Sequence, residues 1–161
     1  MRIAFTIYGE PASKANSREI VTRKMRNKTT GQLKVRPMSI KSDKARGYEH
    51  DAMLQIPVTA RQRLTGPVRV ELRIYYASER PDLDEAVVLD VMQDRWRTIH
   101  RKSGDVRELV AAGVYRNDRQ VREKHVYHGI DRVNPRAEIV IEPLQAQQVA
   151  LALETLDPFE A

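Results

Sequence analysis

One nine-residue stretch constrains the fold more than any other part of the chain. Val68, Val70, Leu72, Ile74 and Tyr76 alternate with Arg69, Glu71, Arg73 and Tyr75. A period of two puts every second side chain on one face, which predicts a β-strand. Gly66-Pro67 breaks the chain before it, and Glu79-Arg80-Pro81-Asp82-Leu83-Asp84 follows as an acidic turn. Ile3, Phe5 and Ile7 predict a shorter strand ending at Gly9 and Pro11. Ser42 is suited to cap a helix in which Ala45, Tyr48, Ala52 and Ile56 recur at helical spacing until Pro57.

Val88, Val91, Met92 and Trp96 predict a helix over residues 85–99, and a shorter one is expected over 105–112, closed by Gly113. Residues 114–130 are strand-like with poor alternation, and 136–142 predict a last strand. A helix is expected over 144–156, with a Val149, Ala152, Leu153, Leu156 stripe. Trp96 and Tyr48 are assigned to the core. The order predicts an α+β fold, a mixed or antiparallel β-sheet with packed helices.

Residues 12–40 have no periodicity and are rich in Lys, Arg, Asn, Thr and Ser, with a turn at Gly31. They read as a long basic loop, or a β-ribbon, lying over whatever the protein binds. Residues 14–46 hold eleven basic side chains: Lys14, Arg18, Arg23, Lys24, Arg26, Lys28, Lys34, Arg36, Lys41, Lys44 and Arg46. Only Glu19 and Asp43 oppose them, a local excess of nine in a chain whose net charge is +6. Such a block suggests a polyanion, most often nucleic acid; the alternative is a solvated loop that keeps the chain soluble. The absence of cysteine excludes thiol catalysis, disulfides and cysteine-bound metals. The first residues are too short and polar for a signal peptide, and no apolar run is long enough to span a membrane, so no membrane partner and a cytoplasmic location are expected. The 161 residues suit one domain over 1–143 with a C-terminal helix and tail over 144–161.

Asp82 and Asp84, separated by one residue, point to the same side of an extended backbone and offer oxygens to a hard cation such as Mg²⁺. Asp90 lies six residues on, Asp118 opens a later strand-like segment, and Glu123 follows it. A third acid from another strand would complete a phosphodiesterase site of the two-metal kind. The plain alternatives are that Asp84 caps a helix and that Asp82 and Asp118 are turn residues. His50, His100, His125 and His128 form no zinc pattern and are read as bystanders, with His125 and His128 on opposite faces of a strand.

Arg-Pro-Asp-Leu-Asp at 80–84, the helix with Leu89-Asp90 and the Tyr115-x-x-Asp118-x-Gln120-Val121 segment together resemble the RusA family of Holliday junction resolvases. Gly9-Glu10-Pro11-Ala12-Ser13-Lys14 is similar to that family's opening, and 41–48 to its basic approach to the first helix. The resemblance runs from about residue 3 to about residue 142. It implies a RusA-like fold and a homodimeric, Mg²⁺-dependent endonuclease, with Mn²⁺ as a substitute, that resolves four-way DNA junctions in recombination and repair. Asp82, Asp84 and Asp118 would be the catalytic metal ligands, with Asp90, Glu123 and Lys14 in support. Arg18, Arg23, Lys24, Arg26, Lys28, Lys34, Arg36, Lys41 and Lys44 would carry the DNA. The chain departs from the family pattern at Glu85, where Asn is usual, at Val88, where Lys is usual, and at Asn117, where Asp is usual. Residues 93–113 stand where many relatives have a short connection. Lys14, Lys41 and Lys44 are the candidates to replace the missing lysine. Two other readings are a relative that binds branched DNA without cleaving it, and an RNA- or protein-binding module whose acids are only turns and caps.

Overall fold

The computed structural model describes residues 1–145, apart from the Lys14 side chain. Among these residues the order is β1 (Ile3–Tyr8), β2 (Arg18–Arg26), β3 (Leu33–Lys41), α1 (Asp43–Gln55), β4 (Val68–Tyr76), α2 (Ala86–Val91), β5 (Arg95–Arg101), β6 (Gly104–Ala111), β7 (Val121–Ile130) and β8 (Arg136–Pro143). Short 3-10 turns stand at Lys14–Asn16, Val58–Ala60 and Asp118–Gln120. This is an α+β architecture. The expected helix over 144–156 falls almost entirely outside the described residues.

The main sheet runs β1-β8-β4-β7. β1 and β4 pair antiparallel with β8, while β4 and β7 run parallel, so the sheet is mixed. The alternation of β4 is realised in full: Val68, Val70, Leu72, Ile74 and Tyr76 are buried, and Arg69, Glu71, Arg73 and Tyr75 face the other way. The buried face packs with Ala137, Ile139 and Ile141 of β8, with Tyr48, Ala52 and Ile56 around α1, and with Val87, Val88 and Val91 of α2. Burying these apolar surfaces is the main force holding sheet and helices together. Ser42 caps α1 by accepting the Ala45 amide at 3.2 Å, and Tyr48 joins the core, both as the sequence predicts.

The basic stretch is a ribbon: β2 and β3 pair antiparallel from Arg18↔Lys41 to Arg26↔Leu33, with Gly31 at φ 67° in the turn. The region after α2 departs from expectation. Instead of a helix over 85–99, α2 is a six-residue helix, and the chain leaves it to form β5. Instead of a helix over 105–112 there is β6, paired with β5 as a second ribbon. Asp94 decides the switch. Its buried carboxylate takes the Arg63 guanidinium at 2.9 Å and the Gly113 amide at 2.9 Å, which ties the two ends of the ribbon together. Gly113 is there for space rather than to close a helix, because a Cβ would collide with backbone atoms of Met92, Gln93 and Asp94. Trp96 is therefore not core: it lies on the ribbon and is 45% exposed.

Leu72→Ala, at a fully buried position of β4, is expected to lower the unfolding free energy in urea by about 2–5 kcal/mol. A decrease below about 1 kcal/mol would show that β4 is not the centre of the core.

Candidate functional site

The acidic turn is organised by the last inward residue of β4. The Tyr76 hydroxyl donates to the Asp82 carbonyl at 3.3 Å and accepts the Asp84 amide at 3.2 Å. Burial pushes the Tyr76 phenol up; the bond from the Asp84 amide opposes this, and the charges of Asp84, Glu10 and Glu85 add to it. The phenol is thus neutral at physiological pH and keeps the proton that this geometry needs. The His128 ring of β7 stacks on Tyr76 with centroids 5.4 Å apart. His128 stands beside Ile74, on the core side of the sheet, while His125 pairs with Glu71 on the other face, as their spacing predicts.

Asp84 is buried, and its Oδ1 accepts the Ala86 amide at 3.1 Å just ahead of α2. The helix-cap reading of Asp84 is thus off by one residue: Glu85 stands at the N-cap, and Asp84, just before it, binds the Ala86 amide with one oxygen. Asp82 is exposed, and its carboxylate has no hydrogen bond or ion pair among the described residues. Asp90, on α2, accepts Lys41 Nζ at 3.1 Å and Gln93 Nε2 at 3.3 Å. Lys41, from the end of β3, is also bonded to Glu49 of α1, which in turn takes Arg95 at 3.5 Å. Burial pulls the Lys41 ammonium down, but its hydrogen bonds to Glu49 and Asp90 and their charges outweigh this and hold it above the usual lysine value. Lys41 is therefore a fixed cation, not a proton acceptor, at neutral pH. Lys41 and Arg18 line one cleft with Asp84 and Asp90, where the foot of the basic ribbon meets the acids.

Asp118 is the first residue of the Asp118–Gln120 turn. Asn117 caps the turn and Gln120 reaches back to the Asn117 amide, a reciprocal capping pair. The Asp118 side chain is exposed and unpaired among the described residues. The Tyr115 phenol, which donates to the Leu89 carbonyl at 2.8 Å, is pushed up by burial and then by the charges of Asp118 and Asp90. Glu123 lies on the sheet face away from the helices, beside Arg69, which it engages as an ion pair. Val88 is fully buried against the core, so no charged side chain enters the cleft from that position.

Among the described residues, no three His, Asp or Glu side chains are grouped so as to hold a metal ion. The donor chemistry nonetheless suits a hard cation: Asp82 and the second oxygen of Asp84 are carboxylate oxygens with no protein partner on the same turn, among the described residues. Mg²⁺ commonly takes one or two carboxylates and completes its shell with water and phosphate.

Of the nine side chains expected to carry DNA, Arg18, Arg23, Lys24, Arg26, Lys28, Lys34 and Arg36 are exposed and have no ion pair among the described residues. Lys41 is held by Glu49 and Asp90, and Lys44 pairs with Glu10 at 3.2 Å. Lys14 opens the Lys14–Asn16 turn. Arg23 stands directly opposite Arg36. Like charges at opposed positions destabilise a two-stranded ribbon.

Sequence reasoning missed Tyr76, Glu10, Glu49 and Lys124. Tyr76 reads only as another apolar position in β4. Glu10 reaches the Ala77 amide at 3.1 Å, and Lys124 pairs with Glu85 at 2.6 Å; neither contact leaves a spacing signal. Comparison with protein-family models gives no match, and comparison with curated protein sequences gives none. Among the described residues no helix is long and apolar enough to cross a membrane.

Tyr76→Phe removes both bonds to the acidic turn. It is expected to cost about 0.5–1.5 kcal/mol in stability and to speed hydrogen exchange at the Asp84 amide. Unchanged exchange at that amide would contradict the bridging role.

Proposed function

We propose that the chain is a Mg²⁺-dependent endonuclease of the RusA type that cuts branched DNA, four-way junctions in particular. The observation that carries this reading is the cleft in which Asp84 and Asp90 meet Arg18 and Lys41 at the foot of a ribbon of unpaired cations. Phosphodiester hydrolysis needs this combination: oxygens for a cation, and positive charge to hold the backbone beside them. Asp82 and Asp84 would be the metal ligands in this reading, with water and phosphate completing the shell, since Asp118 is not grouped with them among the described residues. Mg²⁺ supplies an activated water and stabilises charge on the phosphate. Lys41, kept protonated by Glu49 and Asp90, holds a phosphate oxygen in the cleft, the position that Val88 leaves empty. Tyr76 fixes the turn so that the acids need not reorganise when the phosphate enters. Arg23, Lys24, Arg26 and Lys28 bind backbone over many sequences. A homodimer related by a two-fold axis would present two such clefts to the two strands of a junction.

A second reading, binding branched DNA without cutting it, is favoured by one observation: Lys41 is already engaged by two carboxylates while the three acids are not grouped.

A labelled four-way junction incubated with Mg²⁺ separates the two. Cleavage is expected from the native chain, and Asp82→Asn and Asp84→Asn should each abolish it with junction binding kept or tightened. Binding without cleavage by the native chain would favour the second reading. Failure to bind any branched DNA would sink both.

Neutralising Arg23, Lys24, Arg26 and Lys28 together is expected to weaken DNA binding across sequences. The log–log salt slope should fall by roughly 0.9 for each phosphate that the variant no longer neutralises. An unchanged slope in a variant with unchanged thermal stability would show that the ribbon does not touch DNA.

A further inference from the structure

The ribbon β5–β6 has no task in the proposed cleavage. Residues 95–111 carry five cations, Arg95, Arg97, Arg101, Lys102 and Arg107, against Asp105 and Glu108. Both acids are already engaged. Glu108 takes Arg97 at 2.9 Å, and Asp105 takes His100 at 2.8 Å. That leaves Arg101, Lys102 and Arg107 without a carboxylate among the described residues. Arg107 lies over the indole of Trp96, 5.5 Å from its centroid. Trp96 keeps 45% of its surface open although it is the chain's one tryptophan and a side chain that gains much from burial. The register places Trp96, Thr98 and His100 on one face with Leu109, Arg107 and Asp105. Arg107 is the uncompensated cation on this face, while Arg101 faces the other way and Lys102 lies in the turn at the tip. An open indole backed by such a guanidinium suits a base attached to a phosphodiester better than it suits an apolar protein surface.

The foot of this ribbon also touches the cleft. Arg95 reaches Glu49, which with Asp90 holds Lys41, and Trp96 is the next residue. From this arrangement we infer that β5–β6 is a second DNA-binding arm, in which Trp96 stacks on an unpaired base at or near a branch point while Arg107 on the same face and Lys102 at the tip hold the adjoining backbone. The inference rests on the nuclease reading for its partner and extends it to how a branch is told from a plain duplex. Bases in a continuous duplex are already stacked on their neighbours, so an exposed indole gains only where a base has been released.

Because Trp96 is the one tryptophan, its fluorescence reports this contact directly, while the anisotropy of a dye-labelled DNA reports binding independently. Both are measured on the full chain without divalent cation, with a four-way junction, a single strand and a linear duplex. Expected are quenching of Trp96 by the junction and the single strand, and little quenching by the duplex. Trp96→Ala is expected to lower junction affinity about five- to a hundredfold with unchanged thermal stability, and Trp96→Phe to keep most of it, since a smaller ring still stacks. Junction binding with unaltered Trp96 fluorescence and a native-like Trp96→Ala would overturn the arm and leave the nuclease reading standing. No anisotropy change with any DNA would overturn both. Trp96 quenching in the native chain that follows protein concentration without DNA, together with loss of dimerisation in Trp96→Ala as read by light scattering, would assign the ribbon to a second copy of the chain and overturn the proposal.

Discussion

The structure depends on how β4 is buried. Its inner face packs beneath α1 and α2 and beside β8, so both the direction of the strand and the height of each side chain on it are fixed. The last inner residue, Tyr76, is a tyrosine and not another aliphatic. Its ring is held by the core and by His128, and its hydroxyl emerges where the acidic turn begins. A rigid phenol that both donates and accepts sets the spacing between Asp82 and Asp84 without using either carboxylate. The precision of the turn is thus inherited from apolar packing, which is stronger than any one of the exposed ion pairs around it.

Charge is arranged around that turn in layers. Next to it are the partnered cations: Lys41 on Glu49 and Asp90, Lys44 on Glu10, and Lys124 on Glu85. Beyond them are the unpartnered cations of β2 and β3. Mutual repulsion such as that of Arg23 and Arg36 costs the free protein stability, and an anion laid along the ribbon relieves it. Asp94 plays a structural part at the end of α2. Its side chain is fully buried, satisfied by Arg63 and the Gly113 amide, and it converts a helix end into the foot of a ribbon.

Much of this is legible in the sequence, and the reason differs from element to element. β4, β1 and β8 are legible because each buries one face and exposes the other, which leaves a period of two. α1 is legible because Ser42 caps it, Pro57 follows it, and Ala45, Tyr48 and Ala52 fall on its buried stripe. The two helices expected after Asp84 are not found beyond Val91, because the spacing from Val88 through Met92 to Trp96 continues a helical pattern past the point where Asp94 turns the chain. β5 and β6 bury neither face and so leave no alternation. Their one local signal is Ser103-Gly104, with Gly104 at φ 121° where the turn ends and β6 begins. Of the site, Asp82, Asp84 and Asp90 are visible as a short acidic run, whereas Tyr76, Glu10 and Glu49 enter through contacts that only the fold creates.

If the Tyr76-bound turn gathers a divalent cation, the ion must sit beside Asp82 and Asp84 before any DNA arrives. Titrating the ¹⁵N-labelled chain with Mn²⁺ and following amide resonances reads this out, since the ion broadens the signals of nearby nuclei whether or not any DNA is cut. Broadening should begin at Asp82, Leu83 and Asp84, weaken in Asp84→Asn, and be displaced by excess Mg²⁺. Broadening that begins instead at exposed carboxylates such as Asp43 and Asp51, with the 82–84 amides unaffected, would contradict a cation site on this turn.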